Sequence, residues 1–384
     1  MANTITGLIP TMYNALDVVS REITGLIPAV TSDMTYERAA VGQTVRTPVA
    51  PASTASDITP AVTPPNDGDQ TIGYTDMTIT KARRVPIRWN GEERLGLDNN
   101  GAQYNVIFRD QMAQAMRVLT NEVEADLAAL HVYASRAYGT AGTTPFGSGL
   151  GETANIRKLL VDNGAPTSDL NLVMNTSAGA NLRTLTQLTK VNEAGDSSML
   201  RQGVLLDIHG MALRESAQIV TSTAGTGASA TTNTAGYAIG ATVITLASAG
   251  TGTIVAGDVI TFAGDTNKYV VASGDADVSN GGTITLAAPG LRKALAASAI
   301  AITVTAASAR NMAFSRSAIA LATRAPALPA EGDSAADRFM LTDPNSGLSF
   351  EVSMYKQYRQ VQYEVALAWG VKAVKPEHMG ILLG

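Results

Sequence analysis

The sequence predicts an α+β chain carrying an inserted, small all-β unit. Three observations predict it. Helix-period and strand-period segments alternate through residues 151–214. From about 221 to 306 the composition shifts sharply to Ala, Gly, Thr, Ser, Val and Ile, in short apolar runs separated by Gly, Asp and Asn turns. Beyond 306 longer apolar strands with ordinary charge return, so the flanks read as two halves of one domain and the block as an insertion at a surface loop.

Composition bounds the possibilities. The 384 residues allow two or three compact units. With 45% apolar, 16% charged and 5% aromatic residues the chain is globular, and its cores must lean on Ala, Val, Leu, Ile and Met. A net charge of -5 supplies no basic field for holding a nucleic-acid backbone, which argues against sequence reading of DNA or RNA. Without cysteine there are neither disulfides nor thiolate metal sites. MANTITGLIPTMYNALDVVSREI lacks the basic and uninterrupted apolar regions of a secretory signal, and no 18-residue apolar run occurs. A cytosolic chain that spans no membrane is therefore expected.

In order along the chain, ITGLIP occurs at 5–10 and 23–28, and between the copies Met12, Leu16, Val19 and Ile23 keep helical spacing. Next, TVRTPVAP and TIGYTDMTITKARRVPIRWNGEERLGLD read as two extended arms joined by a polar, proline-rich tip, with Val85, Ile87 and Trp89 alternating against Arg84, Pro86, Arg88 and Asn90. Met112, Met116, Leu119, Val123, Leu127 and Leu130 then form a helical stripe, with Arg109, Arg117, Asn121 and Glu124 off it. No Pro or Gly intervenes before Gly139, so a rod of about 35 residues, on the order of 50 Å, is expected. ETANIRKLLVDNG and SAGANLRTLTQL read as helices, LNLVMN and GVLLDIHGMALRES as strands. TVITLA, DVITFA, KYVVAS, TITLAA and AITVTA are five short strands spaced for a small barrel or sandwich.

A catalytic set is not legible. His131, His209 and His378 each lack a His, Asp or Glu partner at metal-site spacing and read as surface or satisfied histidines. FGSGLGE follows no strand and reads as a connector. Asp275, Asp277 and Ser279 alternate as in a calcium loop, but Asn280 stands where the turn glycine belongs and Leu286 where the bidentate Glu belongs. Asp33 with Glu37, or Glu92 with Glu93, have no group facing them across a cleft. Asp258, Asp265 and Lys268 read as turn residues. The expectation is therefore no enzyme: no catalytic residue, no cofactor, no metal. What remains is surplus extended structure, which buries itself poorly and reaches neighbours well.

The order of N-terminal helix, long hairpin, long helix and α+β domain resembles the major capsid proteins of tailed bacteriophages, which share the Hong Kong 97 fold. VGQTVRTPVAP, TDMTITKARRVPIRWNGEERLGL and EVALAWGVKAVKPEHMGILLG are similar to the coat-protein type of short-tailed Salmonella phages, which carries an inserted β-barrel domain. The resemblance implies an N-terminal arm over 1–40, an extended loop over 41–99 and a peripheral domain with a spine helix over 100–149. It further implies an axial domain over 150–220 and 307–384, interrupted by an inserted barrel over 221–306. The implied function is self-assembly into pentamers and hexamers of an icosahedral shell that encloses double-stranded DNA without sequence-specific binding. Implied with it are a virion location after synthesis in the bacterial cytoplasm, and a scaffolding protein and a portal as partners. Arg83, Arg84, Arg88, Glu92, Glu93 and Arg94 in the extended loop are the candidate intersubunit contacts. Lys81 lies in the arm that in some members bears a cross-linking lysine, but no asparagine partner is recognisable. The alternatives are a secreted or surface carbohydrate-binding β-rich protein, or a hydrolase with an unrecognised site.

Overall fold

A computed structural model describes residues 25–49, 55–63, 68–99, 104–189, 207–342 and 348–384. The helix expected around Met12 to Ile23 lies outside them. Among the described residues the chain passes through β1 (Thr31–Ala39), β2 (Thr44–Val49), β3 (Gly73–Thr78), β4 (Lys81–Asn90), α1 (Gly91–Asn99), α2 (Tyr104–Ala129) and β5 (Arg136–Tyr138). It continues through α3 (Gly151–Asp162), β6 (Leu170–Met174), α4 (Thr176–Thr184), α5 (Thr186–Thr189), β7 (Met211–Glu215) and β8 (Thr221–Ser222). The Gly/Thr/Val-rich block supplies β9 (Val243–Thr245), β10 (Val259–Phe262), β11 (Lys268–Ser273), β12 (Thr283–Leu286) and β13 (Ile302–Val304), each where an apolar run predicts it. The chain closes with β14 (Ser308–Ser315), β15 (Ile319–Pro326), β16 (Ala335–Thr342), β17 (Ser349–Gln357), β18 (Gln360–Ala373) and β19 (Met379–Leu383). The α+β class is as expected.

One sheet is organised on β18. Its one edge carries β15 and β17 end to end, its other edge carries β4 from Lys81, opposite Trp369, to Asn90, opposite Gln360. β1 adds parallel to β15, and β16 adds to β17 as an edge. α2 packs on this sheet through the expected stripe: Leu119, Val123 and Leu127 are buried with Ile87, Val365, Leu367 and Trp369. Trp369 is fully buried; an indole of that size removes ~200 Å² from water, worth about 5 kcal/mol.

Three expectations are corrected. The second arm does not run extended to residue 98: β4 leaves the hairpin to join β18, and residues 91–99 are helical. The cause is a capping box, in which Glu93 N–H donates to Asn90 Oδ1 (2.7 Å) while Asn90 N–H donates to Glu93 Oε2 (3.1 Å). The long helix has 26 residues rather than 35, about 39 Å. After Ala129 it tightens into a 3-10 turn, and Ser135 donates both N–H (2.9 Å) and Oγ–H (2.6 Å) to the Met379 carbonyl. Residues 136–138 then enter a sheet between β19 and β11, so strand pairing overrides local helix propensity. Finally, Glu124 does not face water but is fully buried.

The second sheet runs β13-β10-β11-β5-β19-β14-β6-β7, with β12 and β9 continuing from β11. α3 and α4 cover its far end, where Ile156, Leu160, Leu172, Met174 and Leu182 form a second core. Phe146, in the FGSGLGE connector, is a buried anchor of that core.

Within the inserted block the pairing closes on itself. β13, β10, β11, β12 and β9 are successive neighbours, and Thr231 bridges to Ala301 while Thr232 bridges to Leu246. Thr232 N–H to the Ile300 carbonyl (2.9 Å) and Ala247 N–H to the Thr231 carbonyl (2.9 Å) complete the ring. Inward positions alternate with outward ones, so Ile244, Ile260, Phe262, Tyr269, Ile284, Leu286 and Ile302 fill it with a core of its own. The ring is also stitched to the rest of the chain, because Lys268 and Tyr269 of β11 pair with Ala137 and Arg136 of β5.

Candidate functional site

β2 and β3 form an arm, with Thr44 opposite Thr78 and Val49 opposite Gly73. Its root is held: Met77 and Ile79 are buried with Ala39, Ala322 and Ala368, and Lys372 Nζ donates to the Asp76 carbonyl (2.6 Å). Midway, Arg46 is bidentate on Asp76 (2.7 and 3.0 Å), and this pairing holds the Asp76 carboxyl below its ordinary range. The same guanidinium lies 5.2 Å over the Tyr74 ring. Further out, the described residues of the arm have no core. Ile58 is 98% exposed, Val62 wholly so, and Ile72 and Tyr74 are exposed as well.

The six candidate contact residues are treated differently by the fold. Arg84 Nη1 pairs with Glu364 Oε2 (2.6 Å) on β18, and Arg83 Nε lies 3.5 Å from Glu122 Oε2 on α2. Glu93 is used in the capping box, and the Arg94 guanidinium stacks 4.6 Å from the Tyr104 ring centre. Arg88 and Glu92 are exposed with no partner among the described residues. Exposed ion pairs such as Arg84 with Glu364 contribute less than about 1 kcal/mol each, so they set geometry more than stability. Lys81 is a strut: its Nζ donates to Asp126 Oδ1 (2.7 Å), while Trp369 Nε1 donates to Asp126 Oδ2 (2.8 Å).

The remaining polar groups serve the fold. His131 Nδ1 donates to the Ala128 carbonyl (3.1 Å) at the end of α2, and burial pushes its pKa down. His209 Nδ1 contacts Thr153 Oγ1 (2.7 Å); burial also lowers His378. Asp277 accepts from Ser279 N–H (3.0 Å) and Oγ–H (2.6 Å) and from Asn280 Nδ2–H (3.0 Å), a local turn network. Asp33 receives Arg324 Nη2–H (2.8 Å). Among the described residues no three His, Cys, Asp or Glu side chains converge as metal ligands would.

Asp265 behaves as a turn residue, accepting from Asn267 N–H (3.0 Å) and Tyr269 Oη–H (2.7 Å), and burial pushes the Tyr269 phenol up to about 12. Asp258 does more: fully buried, it accepts from Gly225 N–H (2.9 Å) and Val255 N–H (2.8 Å) and fastens two loops of the inserted block. Lys268 donates to the Gly139 carbonyl, tying the block to the loop after β5.

Sequence reasoning missed Glu124 and Asp126. Asp126 carries no sequence signal, because its partners are 45 and 243 residues away. Glu124 sits one position after Val123 of the apolar stripe, at the margin where a polar residue meets the core.

No protein-family model matches the chain, and no curated relative does. Among solved structures, it is similar to the capsid of cyanophage P-SCSP1u, at 12% identity and a TM-score of 0.49, covering 95% of this chain and 90% of that one. It is similar also to a structure of Mycobacterium phage Che8, at 13% identity and TM-score 0.45, covering 90% and 88%. A third similarity is to the virus-like particle from Pyrococcus furiosus, at 8% identity and TM-score 0.43, covering 98% and 97%.

Proposed function

We propose that the chain is the major capsid protein of a tailed bacteriophage, assembling through repeated copies of itself into pentamers and hexamers of an icosahedral shell around double-stranded DNA. The observation that carries the reading is the β2–β3 arm, packed at its root and bare over the described residues further out. An arm that presents Ile58, Val62, Ile72 and Tyr74 to water offers apolar area that a second surface would cover favourably. A second copy is the occupant that lets every subunit satisfy its arm in the same way, since heterologous contacts around a rotation axis close into rings. Supporting it are the order of arm, long helix and two sheets, and the N-terminal strand β1 laid along β15.

Arg88 and Glu92, exposed and without a partner among the described residues, are the contacts proposed for neighbouring subunits. The closed strand ring over 221–306 is proposed as a grafted domain that sets subunit geometry. Contacts of modest individual strength add up by avidity once many are made at once.

Sizing chromatography with negative-stain microscopy tests the reading. Shells or large rings are the expected result, and a stable monomer at high concentration overturns it. Arg88→Glu and Glu92→Lys should impair assembly while leaving subunit stability within about 0.5 kcal/mol, as surface changes do.

A further inference from the structure

The chain holds four Asn–Gly pairs, at 90–91, 100–101, 163–164 and 280–281. In such a pair the next main-chain nitrogen can attack the side-chain amide, because glycine has no Cβ to shield it. Asn100 lies outside the described residues, and the fold treats the other three differently. Asn163 Oδ1 accepts from Arg136 Nη2–H (3.0 Å), and its Nδ2 donates to Ser135 Oγ (2.9 Å) and the Glu377 carbonyl (2.8 Å). Gly164 N–H donates to the Val161 carbonyl (2.9 Å). Asn90 Oδ1 accepts from Glu93 N–H (2.7 Å), and Gly91 N–H donates to the Arg359 carbonyl (3.2 Å). Asn280 is exposed, and its side chain is held by one hydrogen bond, from Nδ2 to Asp277 Oδ2 (3.0 Å). Among the described residues Gly281 N–H has no acceptor.

We propose that Asn280 is a site of spontaneous deamidation, and that its conversion to isoaspartate releases the β9–β12 edge of the closed strand ring. Gly281 N attacks Asn280 Cγ, and a C–N bond forms. The Cγ–Nδ2 bond breaks, and Nδ2 leaves as ammonia with the proton of the attacking amide. Water then opens the cyclic imide. Opening at Cγ gives aspartate; opening at the main-chain carbonyl gives isoaspartate, whose chain runs on through Cγ. No oxidant, reductant or cofactor enters the balance. The glycine itself is imposed by the fold, since Gly281 is at φ +73° and a Cβ there would stand 2.7 Å from Ser248 Oγ.

The turn lies where an added main-chain atom is felt. Val278 is buried and its N–H donates to the Gly252 carbonyl (3.1 Å), which fixes the turn on one side. On the other, the Gly282 carbonyl accepts from Leu246 N–H (2.8 Å), and Thr283 pairs with Thr245. Isoaspartate lengthens the chain between these anchors, and its carboxylate puts a like charge where Asp277 had a donor. A net hydrogen bond is worth about a fivefold change in a local opening equilibrium. Counting the side-chain amide and the attacking N–H, Asn163 must break four such bonds, Asn90 two and Asn280 one. Conversion at Asn280 should therefore run about fivefold ahead of Asn90 and on the order of 100-fold ahead of Asn163.

Peptide mapping by mass spectrometry of the full-length chain, held folded in mildly alkaline buffer and sampled over time, reads the three rates. The same chain in urea is the reference, where the pairs should convert at similar rates. In the folded chain Asn280 should lead by the factors above, and its peptide should be the first to be labelled by isoaspartyl methyltransferase. Asn90 or Asn163 leading in the folded chain, or Asn280 slowed by folding as much as Asn163, overturns the proposal. Hydrogen exchange at the Leu246 amide reads the consequence. Its protection should fall as the converted fraction grows and stay constant in Asn280→Gln, whose longer side chain does not close the imide. An equal fall in both chains, or none in the converted wild type, refutes the release of the edge. Should Asn280→Gln fail to fold, the wild-type rate order and the link between conversion and Leu246 exchange decide. Unassembled subunits suffice, so failure here is separable from failure of the capsid reading.

Discussion

Replacing Asp126 tests how the arm-bearing strand, the long helix and the central strand are held together. Its two oxygens serve two donors: Lys81 Nζ on β4 at 2.7 Å and Trp369 Nε1 on β18 at 2.8 Å. In Asp126→Ala the indole N–H of a fully buried Trp369 is left without an acceptor, which costs about 1–3 kcal/mol. The Lys81 pair adds less. With side-chain exposures of 37% and 22% it is partly screened and is worth about 0.5–1 kcal/mol. The expected loss is therefore about 1.5–4 kcal/mol. Asp126→Asn keeps an acceptor for the indole and loses only the ion pair, so it should cost about 1 kcal/mol or less. Urea unfolding followed by far-UV circular dichroism measures both. A double-mutant cycle with Trp369→Phe should give a coupling of about 1–2 kcal/mol, because the Ala change matters less once the indole donor is gone. Equal losses in the Ala and Asn variants, or no coupling to Trp369, would refute the shared-acceptor argument.

Further outcomes follow from the same geometry. Arg183→Ala should destabilise more than Glu215→Ala, by about 1–2 kcal/mol in urea midpoints, because it strands a carboxylate that is 8% exposed rather than a cation that is 35% exposed. Gly25→Ala should loosen residues 25–30 from the core, seen as faster proteolytic cleavage before residue 30, since its Cβ would collide with the Glu215 carbonyl. Removing residues 221–306 should lower soluble yield or distort shells, because it bares the edge of β5; an unaltered yield of normal shells would count against the insert's role.

What was legible in the sequence was whatever is periodic. The stripe from Met112 to Leu130 and the alternation of Val85, Ile87 and Trp89 face the core because a helix or strand can bury only one side, and period reveals that side. The five strands of the inserted block were legible for the same reason. Asn90 and Glu93 were also readable, three residues apart in a capping-box pattern, but the strand alternation before them carried the extended reading too far. The end of the long helix was not readable. Nothing local stops a helix at Ala129; the carbonyl of Met379 does, and it lies 244 residues from Ser135. Of the candidate contacts, type and exposure were legible and pairing was not, since Glu122 and Glu364 come to Arg83 and Arg84 only through tertiary structure.

The inserted block shows where composition misleads about energetics. A composition boundary marks where the chain enters and leaves a unit, but a unit's attachments need not lie near either point. Here the attachment is Arg136, buried and 85 residues before the block begins at Thr221. It donates to Asn267 Oδ1 (3.2 Å) inside the block and, outside it, to the Leu159 carbonyl (3.3 Å) on α3 and to Oδ1 of Asn163 (3.0 Å), the residue that caps that helix. Gly257, at φ +88°, packs against the turn that ends α2, where a Cβ would stand 2.9 Å from Val132 Cγ1 and 3.1 Å from His131 Nε2. The ring is thus seated on the end of the long helix and wedged against α3 by a guanidinium whose burial already lowers its pKa. A block tethered only by its two chain connections could turn freely; one that shares a strand edge, a buried arginine and a helix terminus with its host must move with them. Its orientation is therefore tied to that of the long helix.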